Sequence, residues 1–237
     1  MQRVLEQLVE RLTKAYGERL KSVILHGSAA SGNHHAKYSD LNVLCVLAEV
    51  TPRELEESTP IVRWWRDLGN PSPLLLSEVE LRTSTDCFPI EFHDIRERHR
   101  VLHGVDLVHD LDIERCFYRA QVEHDLRAKL LRLRQKAAGL LGGDKNLLRT
   151  LLAESVSTFC VLFRHALLLN GVEAKFEKRE VIVQAREHFG IDTAPFDTLL
   201  DLREEKIKPK EIEPALLLAG YLKQIQAVID VVDRLEK

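Results

Sequence analysis

The chain has 237 residues, 45% hydrophobic and 30% charged, enough to bury a good core in one large domain or two modest ones. Formal charge is −3, and residues 1–110 carry 13 basic and 17 acidic side chains against 21 and 20 in 111–237, so neither half is a basic platform for coating DNA or RNA. Four cysteines, Cys45, Cys87, Cys116 and Cys160, stand far apart in apolar settings with no C-x-x-C pair, which predicts buried thiols in a reducing compartment.

Residues 3–16 place Val4, Leu5, Leu8, Val9, Leu12 and Tyr16 at three- and four-residue steps, with Gly17 near the end, and so predict an amphipathic helix. An apolar run, Val23, Ile24 and Leu25, follows and leads into Gly27-Ser28. After a polar loop, Asp40 and Asn42 open a second apolar run through Leu47. Two strands are expected to share a sheet, with the first helix packed on it. Side chains alternate along a strand, so Asp40 and Asn42 point to one face while Leu41 and Val43 point to the other. Thr51-Pro52 starts a helix reaching Leu68, with Pro60 kinking it or opening a second segment. A short strand is expected at Leu74–Leu76, a charged helix or turn at Glu78–Arg82, and a further strand at Pro89–Ile95. In that last strand Ile90 and Phe92 face inward and Glu91 and His93 face the opposite way.

The stretch 99–109 predicts short extended segments around Gly104 and marks the boundary between a first domain, 1–108, and a second, 110–237. From there only helices are expected. One spans 113–141, with Leu126, Leu130, Leu133, Ala137 and Leu140 as its seam. The next is capped by Asp144 and runs to Asn170-Gly171; the others cover about 178–189, 195–205 and Glu211 to Leu235. Together they predict a five-helix antiparallel bundle, with the charged stretch 204–214 as an exposed connection. The most apolar long stretch, 151–169, contains Glu154, Arg164 and His165, and the N-terminus has no signal-like apolar segment, so a soluble, cytoplasmic protein is expected.

A small-residue turn after a strand exposes backbone N–H groups that suit phosphate. An apolar strand, Gly27-Ser28, roughly ten residues and then Asp40-x-Asn42 resembles the signature of nucleotidyltransferases with a DNA polymerase β-like fold. The resemblance covers about the first hundred residues. It implies an α/β (α+β) domain with a small mixed sheet and Mg²⁺- or Mn²⁺-dependent transfer of a nucleoside monophosphate from a nucleoside triphosphate. Gly27 and Ser28 would hold phosphates, with Lys37 as a lesser candidate for reaching one. The family's third carboxylate comes from a strand beside the Asp-x-Asp strand, which implies Glu91, with Asp94 as the fallback; Asp40, Asn42 and Glu91 would be the metal ligands, Asp40 and Glu91 the catalytic pair. Asn42 stands where the family has its second Asp. An amide oxygen can still coordinate a cation, but the lost charge is worth roughly 4 kcal/mol against a unit charge at about 4 Å in an effective dielectric of 20.

Followed by a bundle, this domain resembles kanamycin nucleotidyltransferase-like proteins and minimal nucleotidyltransferases fused to HEPN helical domains. The resemblance implies that the bundle supplies part of an acceptor site or a dimer surface. The acceptor would be a small-molecule or protein hydroxyl; the alternative is a non-catalytic, antitoxin-like nucleotide-binding module that forms a homodimer. Arg119 and His124 fit the HEPN ribonuclease spacing, but so do Arg98 with His103 and Arg19 with His26, so the spacing carries little information. His26, His34 and His35 lack ligand spacing to a third partner and read as surface residues. Trp64 and Trp65 point about 100° apart on a helix, so at most one can stack on a base and packing is the simpler role. The basic run Arg127, Lys129, Arg132, Arg134 and Lys136 flanks the leucine seam as a solvated helix face would.

Overall fold

A computed structural model describes residues 1–30, 41–113 and 117–235, which form two compact units, Met1–Arg115 and Cys116–Lys237. The first unit begins with α1 (Gln2–Tyr16), whose Leu5, Leu8, Leu12 and Tyr16 form one buried stripe. Gly17, at φ 54°, turns the chain into β1 (Leu20–His26). β2 (Asn42–Leu47) pairs antiparallel with β1, and α2 (Pro52–Asp67) starts on a capping box in which the Thr51 and Glu54 side chains each satisfy the other's backbone amide. β3 (Leu74–Ser77) lies parallel to β2, α3 (Glu78–Thr83) and α4 (Pro89–Glu97) follow, and β4 (His99–Gly104) returns antiparallel to β1. The sheet is mixed, in the order β3-β2-β1-β4.

Alternation along β1 and β2 feeds two cores. Val23, Leu25, Val43, Cys45 and Leu47 pack with α1, Ile61 and Trp65, while Ile24, Leu44 and Val46 pack on the opposite face with Leu81, Phe92 and Ile95. Strands covered on both faces read as continuous apolar runs, which is why these two are plain in the sequence.

Residues 89–95 are helical, not the expected strand. Pro89 opens α4 at its first turn, Phe92 N–H donates to the Phe88 carbonyl, and a two-residue alternation of Ile90 and Phe92 fits a short helix as well as a strand. Pro60 lies inside one continuous α2 and opens no second segment. Both Pro60 and Glu56, whose carbonyl loses its helical donor, are exposed, which leaves the missing bond on the solvent side of the helix. Cys45 and Cys160 are buried, and burial pushes both thiols up to about 12. Cys87 is exposed, against expectation, because it lies in the loop between α3 and α4; Cys116 falls outside the described residues.

The second unit is an antiparallel bundle of α5 (Tyr118–Ala138), α6 (Lys145–Leu169), α7 (Lys178–Phe189), α8 (Ala194–Arg203) and α9 (Pro214–Arg234). Asp144 caps α6 by accepting from the Asn146 and Leu147 amides at 2.7 and 3.2 Å. α6 packs against each of the other four helices of this unit. Phe159 and Phe163 from α6, Phe196 from α8 and Tyr221 from α9 meet ring to ring at centroid distances of 5.0–5.7 Å. α6 and α9 are long and apolar enough to cross a membrane, and their apolar faces here are packed inside the bundle.

Candidate functional site

The turn at the end of β1 is built on Gly27, which adopts φ 77°, a left-handed conformation that favours glycine. Its N–H donates to the Arg98 carbonyl at 3.0 Å and its own carbonyl accepts from Ala30, so the turn is pinned to the segment entering β4. Gly27 therefore spends its amide on the fold. What it adds to the turn is the bend that carries exposed Ser28.

Register places Asn42 opposite His26 on β2 and His99 opposite His26 on β4, so the three form one row across β2, β1 and β4. The row lies on the same face as Ile24 and Leu44. Asn42 Nδ2 lies 3.5 Å from where a side chain on Gly27 would begin, so the amide stands directly against the turn. His26 is half-buried rather than a surface residue: burial lowers its pKa, and the negative charge of Asp94 opposes that shift. His99 places Nδ1 3.0 Å from the Arg96 carbonyl and Nε2 3.0 Å from an Asp106 carboxylate oxygen. Asp106 also accepts from the Val108 and His109 amides. Burial alone would raise its pKa, and the hydrogen bonds from His99 and the two amides outweigh burial and lower it.

Of the residues predicted from sequence, the structure brings Gly27 and Asn42 together, with Ser28 adjoining. Asp40, Lys37, His34 and His35 lie outside the described residues. Glu91 leaves the first turn of α4 and is exposed, and neither β1 nor β3, the strands flanking β2, carries a carboxylate. Asp94, one helical turn on and half-buried, acts on His26 through space. The sequence does not predict the His99–Asp106 pair; its signal is a histidine and an aspartate at the two ends of the 99–106 segment, expected only as short extended segments around Gly104. Neither tryptophan is presented for base stacking: Trp65 is fully buried, and Arg11 covers the Trp64 ring at 4.3 Å. On α5, Arg119 pairs with Glu123 and His124 with Asp125.

No family model matches the chain, and no curated protein matches it. Among solved structures, the spectinomycin adenyltransferase AAD(9) from Enterococcus faecialis, crystallised with ATP and spectinomycin, superposes with a TM-score of 0.63 at 12% identity, over 97% of this chain and 98% of that one. A toxin-antitoxin structure with AMP-PNP covers 43% of this chain and 74% of its own at 16% identity, with a TM-score of 0.31, too low to bear on the fold. From α1 to α9, then, the chain has the nucleotidyltransferase fold, a small mixed-sheet domain followed by a helical bundle, as in that adenyltransferase.

Proposed function

We propose that the chain transfers a nucleoside monophosphate from a nucleoside triphosphate to a hydroxyl of a small molecule, in a reducing, cytoplasmic setting. The observation that carries this reading is the Gly27 turn at the end of the central strand with Asn42 set against it, in a chain whose fold follows an adenyltransferase nearly end to end. The acceptor hydroxyl gives its proton to a carboxylate of the site or to solvent, its oxygen attacks the α-phosphorus to form a new P–O bond, and pyrophosphate leaves with the electrons of the broken bond. Ser28 contacts the triphosphate where Gly27 bends the chain. Asp40 and the Asn42 amide oxygen supply hard oxygen donors of the kind Mg²⁺ or Mn²⁺ takes, with Asp94 or Glu91 as the further carboxylate. A bound divalent ion would neutralise charge on the phosphates. Asp94 is preferred to Glu91 because its charge reaches His26, in the same row as Asn42.

A second reading, a nucleotide-binding module without catalysis that dimerises through its bundle, is favoured by Asn42 itself and by the lack of an acid on either strand beside β2. Incubation with ATP, Mn²⁺ and a panel of hydroxyl acceptors that starts with spectinomycin separates the two. Acceptor-dependent release of pyrophosphate, lost in Asp40→Ala, supports transfer. Triphosphate binding without release in wild type, with release gained in Asn42→Asp, supports the binder.

A further inference from the structure

Residues 126–143 carry five cations and no acid, in a chain that is close to neutral. On α5, Lys129, Arg132 and Lys136 stand at i, i+3 and i+7 and so share one stripe. The stripe is one wall of a groove of about 250 Å³ between α5 and α6. Among the described residues none of the three makes an ion pair, whereas their neighbour Arg127 is held by Glu123 and faces Asp233. Thr158 is an exposed hydroxyl in the opposite wall, beside Glu154, and Leu133 and Phe159 form an apolar floor.

Cations left without carboxylates on one wall, with a hydroxyl and a single acid on the other, match an anion that ends in a hydrogen-bond donor. A groove of about 250 Å³ is small beside the usual ligand cleft of roughly 300–1,000 Å³, which suits a phosphate on a short body. An extended nucleic-acid strand fits worse, since Glu154 would face its phosphates.

We propose that this groove binds a small phosphate ester, its phosphoryl oxygens against Lys129, Arg132 and Lys136 with a hydrogen bond from Thr158, and its far end donating to Glu154. The site lies wholly within the bundle and does not depend on the transferase reading. Phosphoethanolamine is the probe, titrated calorimetrically into the full chain carrying Asp40→Ala, with EDTA and about 50 mM salt so that surface charge is weakly screened. Binding is expected to be tighter than for inorganic phosphate. The Arg132→Gln/Lys136→Gln pair should weaken it about tenfold or more, as loss of charge-assisted bonds does. Thr158→Val should weaken it severalfold, and Glu154→Gln should erase the preference over inorganic phosphate. The exposed pair Lys208→Gln/Lys210→Gln should change nothing. No binding, equal loss in the control pair, or indifference to Thr158→Val would overturn the proposal. So would binding of a single-stranded RNA 20-mer through these cations without binding of phosphoethanolamine. The substitutions in the bundle all fall on exposed side chains, and an unchanged melting temperature confirms the fold.

Discussion

Asn42 concentrates the residue-scale chemistry, because an amide now stands where the resemblance implies a second carboxylate. Asn42→Asp restores a unit charge beside the Gly27 turn, so Mn²⁺ affinity measured by calorimetry should rise, and Asp40→Ala should remove it in either background. Gly27 itself has room for a methyl group, with Asn42 Nδ2 at 3.5 Å, but not the backbone angle for one. Gly27→Ala should therefore cost about 1–2 kcal/mol in urea unfolding through strain alone. His26 adds a pH dependence. Its folded pKa is lowered by burial from the usual 6.5, so the neutral ring is the form the fold prefers. The stability it contributes is full above 6.5 and is lost as pH falls toward and through the lower folded value. His26→Asn should flatten the change in urea midpoint between about pH 7.5 and about pH 5.

Among the elements, Gly104 fixes the register of β4. At φ 78° a side chain there would begin 2.0 Å from the Lys21 carbonyl oxygen, so Gly104→Ala combines left-handed strain with a backbone clash. Denaturation should report a loss of about 2–4 kcal/mol. This position also shows how far the sequence could be read. β1 and β2 are legible because both faces are buried, α1 because its apolar spacing ends at Gly17, and α6 because its apolar run follows the Asp144 cap. α4 was misread because Ile90 and Phe92 alternate over too short a span to distinguish the two periods, although Pro89 was already a helix-start signal. At the site, the Gly27 turn and Asn42 were legible from local spacing. The His99–Asp106 pair was not, because only the antiparallel return of β4 beside β1 brings His99 into the row with His26.

At the scale of the whole molecule, the bundle presents exposed apolar side chains, among them Leu131, Leu147, Val161, Val183 and Leu216. A homodimer burying well over about 1,000 Å² through bundle residues is expected, and a dimer mass in sedimentation at tens of micromolar checks it. The first unit behaves differently because β1 is paired along both edges, and Val23, Ile24 and Leu25 are fully buried. Their amides should be the last of that unit to exchange with deuterium, opening only when the unit opens as a whole. The candidate phosphate turn is thus fastened to the slowest-exchanging strand of its unit. A triphosphate has little protection left to add in β1, so any slowing on binding should begin abruptly at Ser28 and be absent from the three residues of the strand core.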